Sequence, residues 1–223
     1  MKTTHRFFPA KVVLTSCIAL TVAFALTLAG CTTPRQGPPL PEVNLGVAEF
    51  TQPHSTADML AGYMAEDAPR VTQKELTELD AAFIRVLGKE TKRAYASPET
   101  YLECKNATPD GQPSGRVGAM KKWVAVGNCM KVDFLIVPQI YHLQEREGGE
   151  AGVTRPAGVI MDIFLIDVKN AVLTSRSHFD ETQAALAENL LDTGKFFSRG
   201  GKWITAVQLA SEGMAKAVKD LGL

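Results

Sequence analysis

Few residues in this chain have the types and spacing that chemistry needs. Ser198-Arg199-Gly200-Gly201-Lys202-Trp203 sets two cations around a glycine pair, the composition of a phosphate-binding loop. Such a loop also requires a glycine five residues ahead of the Gly-Lys pair and a hydroxyl directly after it, but Phe196 and Trp203 stand there. What remains is an interhelical turn whose Arg199 and Lys202, beside a helix N-terminus, suit an anion or an acidic partner surface. Asp162 lies inside an apolar run, where an unpaired carboxylate is costly. Arg176 on the next segment is its expected partner, a structural role favoured over catalysis. His54, His142 and His178 are far apart in sequence, on a loop and two strands. No Gly-x-Ser-x-Gly, His-Glu-x-x-His or Asp-Gly-rich metal loop occurs. The expectation is a protein with no catalytic constellation, no metal and no cofactor.

The N-terminus carries a different kind of chemistry. Lys2, His5, Arg6 and Lys11 precede an uncharged run from Val12 to Ala29 that ends in Leu28-Ala29-Gly30-Cys31. Basic, apolar and small-residue regions in that order form a secretory signal peptide. The last four residues resemble the bacterial lipobox, which implies a diacylglycerol on the Cys31 thiol, cleavage just before it, and fatty acyl groups such as palmitate on the mature protein. Several acyl chains, at about 0.8 kcal/mol per buried CH₂, would hold such a chain on a membrane that it does not cross. Thr32 occupies the position where an Asp would, by the same resemblance, retain the protein at the inner membrane. The expected location is the periplasmic face of the outer membrane. Residues 31–42 then form a lipidated tether with four prolines, extended and reaching at most about 40 Å.

On this reading Cys17 leaves with the signal peptide, Cys31 carries lipid, and Cys104 and Cys129 remain. In an oxidising compartment that pair most simply forms a disulfide, with two buried thiols as the alternative. The segment Glu145–Pro156 is longer than a hairpin turn needs. Such a loop is either mobile or recruited for binding, and Arg146 and Arg155 are its expected contact residues.

These residues must be positioned by a single core. The 223 residues are 45% hydrophobic and 22% charged, with 24 basic against 24 acidic side chains. The balance leaves no global basic field, which argues against a nucleic-acid partner. Removing residues 1–30 takes away Lys2, Arg6 and Lys11 and no acid, so the mature part is mildly acidic. Residues 43–223 are read as one periplasmic domain. Val43–Phe50 is the first expected strand. The Thr72-Gln73-Lys74-Glu75 capping box opens a helix with Leu76, Leu79, Phe83 and Val86 or Leu87 on one face. Shorter helices are expected from Ser97-Pro98-Glu99 and over Val117–Val126, the latter stopped by Gly127-Asn128. Three strands follow, Asp133–Gln144, Gly158–Val168 and Val172–Phe179. The second is apolar on both faces, and the tight Lys169-Asn170-Ala171 connection makes an antiparallel hairpin of the last two. Pro138 argues for an edge or a bulge in the first. Helices over Thr182–Phe197 and Trp203–Leu221 complete the chain. The predicted fold is α+β: a four-stranded mixed sheet, made of a three-strand antiparallel meander plus the N-terminal strand, flanked by helices.

Residues 133–168, "DFLIVPQI…VIMDIFLIDVKNAVL", with "LGVAEF" as opening strand, resemble the domain shared by the curli-secretion lipoprotein, the lipoprotein activators of penicillin-binding proteins and the N-terminal domain of the Tol-system propeller protein. The resemblance implies a small mixed sheet flanked by helices, acting in assembly or regulation without catalysis. Together these observations predict a non-catalytic, lipid-anchored binding or assembly module with an envelope protein as partner. A subunit of an outer-membrane secretion complex is the alternative, and a hydrolase using Asp162, Asp180 and Glu181 is a more remote one.

Overall fold

The computed structural model describes residues 39–64, 68–108, 115–183 and 197–223. The chain divides into Met1–Arg35 and Gln36–Leu223, and the first unit lies wholly outside the described residues. Outside them, too, fall the signal peptide, Cys31 and almost all of the helix expected over Thr182–Phe197.

Among the described residues the order of elements is β1 (Leu45–Val47), α1 (Gln73–Glu90), α2 (Pro98–Ala107), α3 (Arg116–Met130), β2 (Phe134–Gln144), β3 (Glu147–Gly149), β4 (Gly152–Arg155), β5 (Gly158–Asp167), β6 (Val172–Thr182) and α4 (Ala206–Asp220). One sheet has the order β1-β2-β5-β6. β1 runs parallel to β2, while β2, β5 and β6 form the antiparallel meander. This is the predicted α+β architecture. Strand β5 is buried on both faces, and alternation splits its side chains between two cores. Val159, Met161, Ile163 and Leu165 pack with Leu79, Phe83 and Leu87 of α1 and Leu209, Met214 and Val218 of α4. Phe164 and Ile166 pack with Tyr101 of α2 and Trp123, Val126 and Met130 of α3. The helices therefore divide into two layers, one on each face of the sheet.

Local boundaries differ from expectation where tertiary contact overrules a local signal. Helix α3 runs through Gly127 and Asn128 to Met130 and ends at Lys131, which takes the left-handed conformation at φ 54°. Gly127 does not stop the helix because its missing side chain is what lets β5 approach. A Cβ there would lie 2.5 Å from Val168 Cγ2. Helix α4 begins at Ala206, three residues after Trp203, because Thr205 is the cap: its hydroxyl accepts from Gln208 N and the Gln208 side chain accepts from Thr205 N. The Glu145–Pro156 connection contains a second, two-stranded sheet, β3 with β4.

Pro138 sits on an interior strand, and the irregularity it demands is met on the neighbouring segment that follows β1. Ala48 N donates to Ile136 O and Thr51 N to Pro138 O. Three residues of advance beyond β1 thus oppose two on β2, a bulge that places no carbonyl partner against the proline nitrogen. The expected first strand, Val43–Phe50, is shortened to Leu45–Val47 for this reason.

Cys104 of α2 and Cys129 of α3 are bonded, with Cα atoms 5.6 Å apart. Two predictions follow from this packing. Reducing that bond costs about 3 kcal/mol of stability, the loop-closure value for its length, read as a lowered urea midpoint. Gly127→Ala destabilises by about 1–3 kcal/mol through overpacking, whereas Gly88→Ala in α1, with open space around it, stabilises by about 0.5–1 kcal/mol. Equal effects at the two glycines would contradict the close-approach account.

Candidate functional site

Three polar centres are built into the fold. The first surrounds Asp162. Register places Gln139 of β2 and His178 of β6 directly beside it, and Arg176 lies two residues along β6 on the same face. Its side chain is 0% exposed and fully satisfied. Arg176 Nη2 donates to Oδ2 at 2.8 Å, His178 Nδ1 lies 2.8 Å from Oδ1, and the Tyr141 hydroxyl donates to Oδ2 at 2.8 Å. Tyr141 reaches it from a bulge in β2, between Ile140 and His142. Burial and the adjacent carboxylate raise the Tyr141 phenol far above its ordinary range, so it stays a donor. The expected Asp162–Arg176 pair is present. Tyr141 and His178 were not foreseen as its partners, since only register brings them there. His142 stands opposite Ile160, on the far side of β5 from Asp180 of β6. Asp162 and Glu181, on opposite faces of the meander, do not converge: Glu181 pairs with Arg199 at 2.7 Å.

The second centre joins the two segments singled out for their cations. Trp203 N donates to Glu150 O, Ala206 N to Glu145 Oε2, Lys202 Nζ pairs with Glu150 at 2.8 Å, and Arg146 donates to Trp203 O. The Glu145–Pro156 connection is thereby docked on the turn before α4. Arg155 pairs with Glu147 across the β3–β4 hairpin. Arg199 is only 7% exposed at its side chain and lies between Glu181 and Glu212, at 2.7 and 2.6 Å. Those two carboxylates raise its pKa further and hold the guanidinium inside the protein. The structure thus brings Arg146 and Lys202 to one edge and gives each of the four cations an internal acceptor.

The third centre was not anticipated. Beyond the C-terminal end of β1 the chain runs first to α1 on one face of the sheet and then to α2 and α3 on the other. The crevice between the layers at that sheet edge is a cavity of about 490 Å³. The bulge opposite Pro138 turns Phe50 N away from the sheet, and it donates to Asp80 Oδ1 of α1 at 2.6 Å. Burial is the main cause that pushes the Asp80 carboxyl up to about 6, with Glu49 adding to it and the Phe50 N–H and Lys105 opposing. Across the cavity Lys105 pairs with Glu49 at 3.0 Å and stands 5.6 Å over the Tyr101 ring. Tyr101 is 1% exposed, and its hydroxyl lies beside the Glu49 backbone. One signal was available in the sequence: Asp80 falls between Leu76 and Phe83 on the apolar stripe of α1, where a carboxylate is out of place. Among the described residues no group of three or more His, Cys, Asp or Glu side chains is arranged to hold a metal.

No family model matches the chain, and no curated protein matches it. Among solved structures it is similar to the PelC dodecamer from Paraburkholderia phytofirmans, with 12% identity and a TM-score of 0.46 over 84% of this chain and 94% of that one. It is also similar to the LpoB C-terminal domain from Escherichia coli, with 11% identity and a TM-score of 0.36 over 74% and 94%. The hypothetical protein CT253 from Chlamydia trachomatis gives 13% and 0.34 over 84% and 88%. These likenesses are distant ones of fold. None assigns an activity, a partner or a compartment to this chain.

Two outcomes test the electrostatics. Asp162→Ala removes the acceptor shared by Tyr141, Arg176 and His178, leaves Tyr141 only its 3.3 Å bond to Gln139, and costs about 3 kcal/mol in urea unfolding, whereas Asp180→Ala on the exposed part of β6 stays within about 0.5 kcal/mol of wild type. The second concerns pH. Between the ordinary carboxylate value near 4 and about 6, folded Asp80 holds a proton that the unfolded chain has released. Its contribution to stability is therefore present below that window and lost as pH rises through it. Asp80→Asn, which has no charge to bury, gains stability relative to wild type between about pH 4 and pH 7. A difference in urea midpoint that stays constant across this range refutes the assignment.

Proposed function

We propose that this protein is a lipid-anchored module of the bacterial cell envelope, held at the periplasmic face of the outer membrane through Cys31, and that it acts by binding and assembly without catalysis. The observation that carries this reading is the Cys104–Cys129 bond, since a disulfide between two helices of the domain suits a compartment in which thiols are oxidised. It agrees with the independent Leu28-Ala29-Gly30-Cys31 motif, which implies export and acylation. None of the helices among the described residues is long and apolar enough to cross a membrane.

The non-catalytic reading is supported by how the acidic groups are used. Asp162 spends its lone pairs on Tyr141, Arg176 and His178, and Glu181 on Arg199. The partner is read as an envelope protein that meets the edge bearing Arg146, Arg155 and Lys202. The carboxylates now paired with these cations would be exchanged for the partner's own. Arg199 supports that edge from within by tying β6 to α4.

The test is direct. Mass spectrometry of the protein from membranes should find a chain that begins at Cys31 and carries fatty acyl groups, and Cys31→Ala should abolish incorporation of a clickable palmitate analogue. An unprocessed, unacylated N-terminus overturns the anchoring. Photocrosslinkers placed at Arg146 and Arg155 should capture one defined envelope protein in intact cells, and the same probe at Leu102 should not.

A further inference from the structure

We propose that β6 is the interface of a homodimer. A second copy of this chain adds its own β6 antiparallel to this one, across a two-fold axis at His178, and joins the two four-stranded sheets into one.

Each edge of an open sheet carries unpaired backbone groups that must be blunted, covered or used. The β1 edge is three residues long, and Ala96 N covers Leu45 O on its outer side. Strand β6 is the other edge, eleven residues long, and contains neither proline nor lysine. Its bulge lies near its start, between the residues facing Leu165 and Ile166, so the stretch from Ser175 onward is regular. Its arginine, Arg176, is drawn onto Asp162 and does not guard the edge.

The ladder shows which groups face outward. Gln183 N donates to Ala157 O, and the register continues unbroken from Gly158 opposite Thr182 to Leu165 opposite Ser175. Bonded pairs alternate with unbonded ones in an antiparallel ladder. The odd-numbered residues of this stretch therefore bond to β5, while Arg176, His178 and Asp180 turn their N–H and C=O groups away from it. Among the described residues no backbone group pairs with them on that side.

Charge selects a second copy as the occupant. Antiparallel self-pairing that sets outward groups against outward groups allows only a few registers. Centring on Arg176 or on Asp180 puts that residue opposite itself, like charge against like. Centring on Ser177 or Phe179 leaves Arg176 and Asp180 unmatched. Centring on His178 puts Arg176 opposite Asp180, and the two-fold axis does so twice. Asp180 is exposed and has no ion-pair partner among the described residues. Arg176 is 34% exposed at its side chain, and its contacts with Asp162 and His178 run through Nη2, which leaves further donors of the guanidinium for a second carboxylate. On the other face Ser177 comes opposite Phe179, a ring that its own core buries only in part. Because Arg176 and His178 are both fastened to the buried Asp162, the outward side of β6 is ordered before a second copy arrives.

Sedimentation velocity of the full chain in detergent over a concentration series tests the proposal. A monomer–dimer equilibrium with a Kd below about 100 μM is expected. Asp180→Lys, which sets a lysine against Arg176 at both ends of the interface, should raise that Kd by about tenfold or more and leave the Tm of the monomer unchanged. With Cys17→Ser and Cys31→Ser in the background, His178→Cys should be joined to a second copy by a short bismaleimide, since residues on the axis have Cα atoms about 5.5 Å apart. Thr174→Cys should not be joined, because antiparallel register carries the two copies of that residue apart. A chain that stays monomeric throughout overturns the proposal, as does a dimer indifferent to Asp180→Lys or an assembly that grows beyond two. So does a His178→Cys variant that, in membranes of the expressing cells, is joined to a different polypeptide in place of a second copy, or a Thr174→Cys variant that is joined equally well.

Discussion

Strand β5 has no polar face, and the architecture follows from having to cover it twice. Six of its side chains, Val159, Met161, Ile163, Phe164, Leu165 and Ile166, are 1% exposed or less. Each gains about 1.5–3 kcal/mol by leaving water, which is enough to organise a small domain. One layer of helices can remove only alternate residues from solvent. α1 and α4 therefore pack on one side and α2 and α3 on the other, and the chain between β1 and β2 must visit both layers.

The polar centres are consequences of that arrangement. Asp162 enters the protein because it sits on the strand that must be buried, and it is tolerated because both flanking strands contribute partners in register. The cavity exists because helices leaving β1 for opposite faces cannot close over the sheet edge between them. The bulge opposite Pro138 then supplies the N–H that fixes Asp80 on the wall of that gap. Buried carboxylates thus serve two ends: Asp162 is saturated by its neighbours, whereas Asp80 has its affinity for a proton raised by desolvation that one backbone donor only partly offsets.

The docking of the Glu145–Pro156 connection on the turn before α4 is an electrostatic counterpart. Glu145, Arg146 and Glu150 find Ala206 N, Trp203 O and Lys202, so two segments more than fifty residues apart in sequence become one surface. Pairing with carboxylates holds these cations in place at the protein surface. Exposed pairs such as Lys202–Glu150 are worth no more than about 1 kcal/mol and are easily exchanged.

Local, periodic signals were enough to read α1, the start of α2 and the meander, and the count of cysteines left in an oxidising compartment pointed to the Cys104–Cys129 pair. Thr72 and Glu75 form the capping box expected of them, Leu79, Phe83 and Leu87 are buried at helical spacing, and β5 is interior as its two apolar faces require. The sequence also shows that Asp162 needs a partner and that Pro138 needs an irregularity, because those are properties of a single residue type in a single context. It could not show that Tyr141 and His178 would share that carboxylate, that Gly127 would lie inside a helix, or that Asp80 and Tyr101 would face one cavity. Each of those depends on which strand neighbours which, at what register, and how closely two layers approach. Such quantities are determined by the packing of residues distant along the chain, and no spacing within one segment encodes them.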